Sequence, residues 1–325
     1  MESRRLVVAA CLSLCTAAFA EVPPANTLPC FPGAYYRKAV SSQDMWSGIE
    51  GVITLPDFQP DPERVNPDNG KSLDNPSIYL GGRAENQEID AGLSWEVIKE
   101  PDGSVSPIRR AFRPFWRNKE WHSGPAKPDF YYYPGDQIRI RLETTEANKL
   151  RMSIELLSRG ESGKPKALEP APPSDPLTTA TAETETTGSS VAGKTTNTKA
   201  ILATGTVPTS SSEKGHGKDF AATSPDALTS LSVNFDAPNF GPGRIQEFKR
   251  VNAIDQSGNE GRGVVPTKAR VMDATWTEVY LLRRRLRVPM TDNRFTDMRC
   301  PDKKHFTVFS FDNTGERICI RGAEN

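Results

Sequence analysis

Acidic side chains occupy alternate positions of the segment NQEIDAGLSWEV, residues 86–97. In a β-strand Glu88, Asp90 and Glu96 would share one face, because successive side chains point to opposite faces. Two carboxylates can serve as the acid and the base of a hydrolase if both reach the same bond. Glu88 and Glu96 would be about 26 Å apart, whereas glycoside hydrolysis needs about 5–9.5 Å. Glu88 and Asp90, about 6.6 Å apart at Cα, could be coupled or could hold a cation.

Two further segments show the same alternation of apolar and polar residues. In 134–144 the apolar side chains would face a core and Arg139 would point outward, and in 267–283 Asp273 and Thr275 would share an outward face. The outward faces therefore combine carboxylates, hydroxyls and arginines. They could form a functional surface, but the simpler interpretation is a solvated antiparallel sheet with cross-strand charge pairs.

A third candidate region, residues 112–133, is aromatic. It places Trp116, Glu120 and Trp121 among arginines and lysines. Aromatic faces beside polar groups suit sugar rings or extended peptides, because they bury apolar area while hydrogen bonds fix the ligand's orientation. The same residue types also build sheet cores, so a structural role is an open alternative.

The segments that would position these residues are short, alternate with a period of two and are separated by turn sequences such as Pro134-Gly135-Asp136. This pattern predicts an all-β fold, a two-sheet antiparallel jelly-roll sandwich. Each half of the chain, 21–158 and 227–325, offers about five strands, and an open sheet of that size would leave an apolar face uncovered. One sandwich built from both halves is therefore favoured.

Between these halves, residues 159–226 are rich in Thr, Ser, Pro and Ala. We expect a long disordered insert there, because such a composition cannot bury enough apolar surface to offset the entropy of ordering it. An insert in place of a short loop costs only about 1.7 kcal/mol of closure entropy. A discontinuous domain is therefore energetically acceptable.

The N-terminal 20 residues have the anatomy of a secretory signal peptide, with a basic start, an apolar run and a small-residue exit. We therefore expect a secreted protein whose mature chain begins at Glu21. Secretion would leave Cys30, Cys300 and Cys319 in an oxidising compartment, which predicts one disulfide and one spare thiol. The sequence does not choose the pair.

Composition argues against several classes of partner. The chain has 41 Lys and Arg against 41 Asp and Glu, a formal net charge of 0, so it has no basic excess to attract nucleic acid or anionic lipid. The apolar run of the signal peptide is shorter than the roughly 20 residues of a membrane span. No Cys-x-x-Cys occurs and the three histidines are scattered, so we expect neither zinc nor any other cofactor. We expect a soluble monomer.

The run Glu88-Ile89-Asp90-Ala91 resembles the start of the Glu-Ile-Asp-x-x-Glu signature of laminarinase-like and lichenase-like glucanases. That resemblance implies a concanavalin-like jelly roll with Glu88 as nucleophile. The family's second Glu, its acid/base, follows four or five residues later, where this chain has Gly92 and Leu93. The resemblance therefore implies the fold without a complete pair of catalytic carboxylates.

A second resemblance extends from about residue 44 to 283 once the insert is skipped. The order and approximate spacing of a series of motifs are similar to those of the secreted glutamic peptidases, or eqolisins. These motifs are Ile78 to Gly82, Ile89 to Leu93, Phe115-Trp116 to Glu120-Trp121, Tyr133 to Ile138, Leu150 to Leu156, and Ala274-Thr275-Trp276.

The eqolisin resemblance implies a β-sandwich with a catalytic Gln and Glu in a concave groove. Asp90 stands at the position of the Gln and Thr275 at that of the Glu, so both members of the dyad differ. Thr275 cannot act as a carboxylic acid, and Asp273 is the nearby acid that could replace it.

The leading hypothesis is a secreted protein that binds an extracellular glycan or peptide in a groove, without catalysis. The alternative is an acid-acting hydrolase, a peptidase or a glucanase, that uses Asp90 and Asp273 as a rearranged carboxylate pair. A third hypothesis makes the sandwich only a scaffold for the insert. The predicted ligand-binding residues are Glu88, Trp116, Glu120, Trp121, Arg139 and Thr275.

Overall fold

The computed structural model describes residues 28–67, 71–99, 105–161 and 230–323. The predicted signal peptide, 1–20, and all but the first three residues of the predicted insert, 159–226, lie outside these residues. Within them the chain is all-β and forms two antiparallel sheets, which confirms the predicted antiparallel sandwich.

The strands are numbered in chain order. They are β1 Ala34–Ser41, β2 Gly48–Thr54, β3 Asp57–Gln59, β4 Asp74–Ala84, β5 Gln87–Lys99, β6 Val105–Arg117, β7 Trp121–Ser123, β8 Gln137–Glu146, β9 Lys149–Ser158, β10 Ser230–Asp236, β11 Glu247–Gln256, β12 Arg270–Arg283, β13 Leu286–Pro289, β14 Arg294–Cys300, β15 Phe306–Ser310 and β16 Glu316–Arg321. Short 3-10 turns lie at Pro128–Phe130, Thr291–Asn293 and Lys303–His305.

One sheet has seven strands in the order β14-β1-β11-β4-β5-β6-β7. The other has nine strands, in the order β10-β9-β8-β2-β12-β16-β15, with β3 and β13 pairing with β12 beside this path. Each sheet contains strands from both sides of residues 162–229, and these strands belong to one compact unit. Arg159 and Gly160, which the composition assigns to the insert, both donate to the buried carboxylate of Asp136.

The core lies between the two sheets and is built by the alternation seen in the sequence. In β5 Ile89, Ala91 and Leu93 are fully buried in it, so Glu88 and Asp90 lie on the opposite, outer face of the seven-stranded sheet. Burying a large apolar side chain of this kind contributes about 1.5–3 kcal/mol. Trp46, Trp276, Phe112, Phe240 and Phe248 are among the largest side chains in the core.

The predicted disulfide joins Cys30 to Cys300, with the Cα atoms 5.8 Å apart. It ties the segment that precedes β1 to the end of β14, and Cys319 is the buried free thiol. The expected count of one bridge and one spare thiol is confirmed, and the bridge joins two residues separated by 270 positions in the sequence.

The outer face of the seven-stranded sheet is unusual for an antiparallel sheet because it carries a second apolar cluster. Such faces normally alternate to polar side chains in contact with water. The cluster consists of Ala34, Tyr36, Tyr79, Phe115, Val251, Ala253, Met298 and Cys300. This outer face is where several of the chemistry-bearing residues meet.

Candidate functional site

Asp90 lies at the centre of a charged group on the outer face of the seven-stranded sheet. Its Oδ1 is 2.8 Å from Lys249 Nζ on β11, and its Oδ2 accepts a hydrogen bond of 2.7 Å from Arg117 Nη2 on β6. Glu88, two residues before Asp90 on β5, also contacts Lys249 Nζ through Oε1. We call Glu88, Asp90, Arg117 and Lys249 the Asp90 cluster.

A glycine on the intervening strand allows Asp90 and Lys249 to meet. Gly81 on β4 is the cross-strand partner of both residues. A Cβ atom at residue 81 would lie 2.6 Å from Lys249 Cε and 3.0 Å from Asp90 Oδ1. Any other side chain would therefore occupy the space in which the ion pair forms, because real Cβ contacts are longer.

The Asp90 cluster has a buried layer and an exposed layer. Asp90 and Lys249 are only 4% and 6% exposed, whereas the side chains of Glu88 and Arg117 are about half exposed. Burial disfavours the ammonium of Lys249, but the carboxylates of Asp90 and Glu88 outweigh it and raise its pKa. Burial likewise disfavours the carboxylate of Glu88, but Lys249 outweighs it and lowers the pKa of that group. Lys249 is therefore a cation at neutral pH and no nucleophile.

An apolar row runs beside the charged one. Tyr79 on β4 and Phe115 on β6 pack edge to face with ring centroids 5.8 Å apart. They meet across Gly92 on β5, the cross-strand partner of both, where a Cβ atom would be 2.5 Å from Tyr79 Cα. The alternation of β5 thus leaves an opening at residue 92 that two aromatic rings fill.

Exposed aromatic rings cover both ends of this apolar row. Trp121 on β7 stacks on Phe115 at 4.3 Å and is 50% exposed. At the other side of the sheet, Phe31 stacks on Tyr36 of β1 at 4.0 Å and is also exposed. Each exposed ring presents one flat face to solvent, which suits contact with apolar or planar groups of a ligand.

A titratable carboxyl group, Asp255 at the end of β11, lies on the same outer face. Ser77 Oγ donates a hydrogen bond of 2.5 Å to its Oδ2. Burial raises the pKa of Asp255 to about 6, the Ser77 hydroxyl opposes that rise, and the negative charge of Asp90 adds to it. This face therefore gains a negative charge as the pH rises through about 6.

The structure does not bring Asp90 and Asp273 together. Asp90 belongs to the seven-stranded sheet, whereas Asp273 and Thr275 lie on β12 of the nine-stranded sheet, so the side chains point to opposite outsides of the sandwich. Asp273 is exposed, with Arg317 Nε and Cys319 Sγ each 3.7 Å from its Oδ1. The predicted pair cannot act on one bond, because the two sheets and the core separate its members.

The predicted ligand-binding residues are divided in the same way. Glu88 and Trp121 lie on the outer face of the seven-stranded sheet, and Glu120 is exposed in the turn that precedes Trp121. Arg139 lies on the nine-stranded sheet and pairs with Glu155 at 3.0 Å. This is the kind of cross-strand charge pair expected on a solvated antiparallel sheet.

Trp116 requires a correction. Its side chain is 5% exposed and belongs to the core between the sheets, where its ring stacks on His122 at 5.5 Å. The alternation of β6 explains this position, because Phe115 and Arg117 take the outward positions on either side of it. Trp116 therefore packs between the sheets, as the alternative structural role of this aromatic segment predicts.

Five residues of this face carry no sequence pattern that indicates a site: Lys249, Arg117, Tyr79, Ser77 and Asp255. Gly81 was the one local signal, since a glycine inside a strand often marks a close approach of neighbouring groups. Within the described ranges no cluster of His, Cys, Asp and Glu has an arrangement that could hold a metal ion. The same residues contain no helix long and apolar enough to span a bilayer.

Three solved structures have chain folds similar to this one. Two are crystal structures of scytalido-glutamic peptidase, one with a transition-state analogue inhibitor and one with a peptide-based transition-state analogue, at 8% and 9% identity and TM-scores of 0.45 and 0.41. The third is SCP-B, a member of the eqolisin family of peptidases, in a complex with the tripeptide Ala-Ile-His, at 10% identity and a TM-score of 0.42. Each match covers 89% of this chain and 98% of the other.

No protein-family model matches the sequence, and no curated protein matches it. The three structural matches are too weak to support an inference about function. The side chains on the outer face of the seven-stranded sheet are the basis for that inference.

Proposed function

We propose that this is a secreted protein that binds an extended peptide on the outer face of its seven-stranded sheet, without hydrolysing it. One observation carries the proposal: both oxygens of Asp90 are held by cations, Lys249 and Arg117, on a face with an apolar floor. To take a proton from water, Asp90 would have to give up a contact that compensates its buried charge. The same arrangement suits recognition, because the polar groups are fixed before the ligand arrives.

The dimensions of the face favour a peptide. From Tyr36 on β1 to Trp121 on β7 there are five inter-strand steps, which at about 4.8 Å each span about 24 Å, the length of about seven extended residues. The floor between them offers apolar surface for ligand side chains, and the half-exposed Glu88 and Arg117 can pair with ligand groups of either charge. A neutral glycan would use the aromatic rings but not this pair of opposite charges.

Asp255 favours a second candidate, acid-acting hydrolysis in which Asp255 is the carboxyl group that gives or takes the proton. Its pKa of about 6 would let Asp255 exchange a proton near neutral pH, and its neighbour Ser77 is a hydroxyl group. The test is incubation with an unfolded protein substrate at pH 4 to 6. Cleavage that disappears in Asp255→Asn would establish this second candidate and contradict the first.

The binding proposal is tested with a library of immobilised peptides, followed by calorimetric titration of the best one. Trp121→Ala should weaken binding at least tenfold and leave the melting temperature unchanged, because the ring stacks on the surface and is half exposed. Phe309→Ala removes a ring of similar exposure from β15 of the other sheet and should not alter affinity.

Two outcomes would contradict the proposal. Binding of glycans but not peptides on parallel arrays would assign the face to sugars. Equal affinity of the wild type, Trp121→Ala and the Arg117→Gln variant would move the binding site away from this face, since Arg117 belongs to the exposed layer of the Asp90 cluster.

A further inference from the structure

A second group of charges lies between the sheets, apart from the outer face. Arg37 on β1 and Arg250 on β11 point into the sandwich, where Glu316 on β16 and Asp297 on β14 meet them, and Arg294 joins from the start of β14. We call these five residues the Arg37 cluster. Arg37 is only 1% exposed, and Arg250, Asp297 and Glu316 are buried as well.

All four carboxylate oxygens of the cluster already face a guanidinium group. Glu316 Oε2 is 2.9 Å from Arg37 Nη2, and Glu316 Oε1 contacts Arg250 Nη2. Asp297 Oδ1 contacts Arg37 Nη1, and Asp297 Oδ2 is 3.6 Å from Arg294 Nη1. Three of these oxygens are paired in this way, whereas Asp297 Oδ1 contacts Arg37 but accepts no hydrogen bond.

The charges of the cluster do not balance. Three guanidinium groups, of Arg37, Arg250 and Arg294, oppose the two carboxylates of Asp297 and Glu316, which leaves one positive charge in excess. An uncompensated charge inside a protein costs several kcal/mol. Burial lowers the pKa of Arg250 to about 10, Glu316 opposes this, and the neighbouring Arg37 and Arg294 add to it.

Buried donors without acceptors accompany this excess. Among the described residues, Arg37 Nε and Arg294 Nε lie in the interior with no hydrogen-bond acceptor. Asn252 Nδ2, opposite Arg37 in the register of β1 and β11, is a third such donor, and its Oδ1 is occupied by Trp276 Nε1 at 2.7 Å. Buried N–H groups nearly always have partners, so these donors call for an acceptor.

We propose that the Arg37 cluster binds one small monovalent anion of the halide type, held by Arg37 Nε and Arg294 Nε. Such an ion supplies what both observations require, a negative charge and an acceptor for several N–H groups. Water would accept hydrogen bonds without compensating the charge, and a divalent oxyanion would reverse the excess. Because its ligands come from β1 and β14 and its neighbours from β11 and β16, the ion stabilises the contact between the two sheets.

Thermal unfolding of the full chain in sodium chloride and in sodium gluconate at equal ionic strength tests this proposal. The melting temperature of the wild type should rise with chloride in a saturable way, because a ligand that binds only the folded state stabilises it. Arg294→Gln, at the least buried arginine of the cluster, removes the excess charge and should abolish the difference between the two salts. Arg139→Gln, a surface arginine of the other sheet, should preserve it.

Asp297→Asn changes the charge of the Arg37 cluster in the opposite direction to Arg294→Gln. It makes the cluster more positive, so the chloride-dependent shift should grow even if the variant is less stable overall. A crystal grown in bromide should show an anomalous peak at Arg37 Nε and Arg294 Nε. Ordered water at these atoms in place of bromide, or an equal chloride effect in wild type and Arg294→Gln, would overturn the proposal.

Discussion

Replacement of Asp255 by Asn tests the electrostatics of the outer face directly. Asn has nearly the same shape, and its Oδ1 can still accept the hydrogen bond from Ser77 Oγ that Asp255 Oδ2 accepts. What changes is the charge. In the wild type the carboxylate forms in a partly buried position where the charge of Asp90 opposes it, and the substitution removes the charge without removing the contact to Ser77.

The direction of the pKa shift of Asp255 determines whether the folded state gains or loses stability as the pH rises. Burial raises the pKa of Asp255 from 3.8 to about 6 in the folded protein, so the folded state holds this proton more tightly than the unfolded state does. The stability that this proton contributes is fully present below about pH 4 and is lost as the pH rises through about 6. The shift corresponds to about 3 kcal/mol as an upper limit. Because Asp255 is partly exposed, we expect about 1–3 kcal/mol.

The assay is urea unfolding of both proteins with the disulfide intact, from pH 3.5 to 8. Asp255→Asn should match the wild type near pH 3.5 and should be more stable by about 1–3 kcal/mol at pH 8. Ser77→Ala supplies a directional control: it removes the hydrogen bond that opposes the rise of the pKa, so the midpoint of the pH dependence should move above 6. Parallel stability profiles for the wild type and Asp255→Asn across this range would refute the reasoning.

Three further substitutions test the packing around the site and the fold. Gly81→Ala places a methyl group between Asp90 and Lys249 and should lower the free energy of unfolding by about 1–3 kcal/mol, with unchanged stability in urea contradicting the predicted clash. Cys30→Ser opens a bridge with a sequence separation of 270 and should cost about 2–5 kcal/mol relative to the oxidised wild type, an effect that must vanish when both proteins are compared under reducing conditions. Trp116→Ala should cost about 3–5 kcal/mol because the ring lies in the core, and a cost below 1 kcal/mol would place it at the surface.

The sequence predicted the fold class and the buried rows of strands such as β5 because their alternation is regular. In that strand every second residue from Ile89 to Leu93 is apolar, and these side chains do enter the core. Alternation, however, tells only whether a side chain points in or out, not in which sheet its strand lies. Asp90 and Asp273 both point outward from strands of this kind, and they end on opposite sides of the sandwich.

Lys249 could not be predicted from the alternation, because β11 does not follow the rule that apolar side chains face the core and polar side chains face solvent. Its outward residues include the apolar Val251 and Ala253, and its inward residues include the polar Arg250 and Asn252. A strand with both faces buried gives no polarity signal from which its orientation could be read. Only the paired register with β1 and β4 assigns each of its side chains to a face.

The reversal in β11 also separates two kinds of charge group that are adjacent in the sequence. Lys249 points outward into a group whose two cations and two carboxylates pair with one another, whereas Arg250 points inward into a group of three guanidinium groups and two carboxylates. In the outward group Asp90 is paired with two cations, so it is not available as a base. The half-exposed side chains of Glu88 and Arg117 still present fixed acceptors and donors to a ligand. An interior excess, by contrast, has no solvent to compensate it. The outward group therefore suits reversible recognition of a ligand, and the inward group suits permanent occupation by an ion.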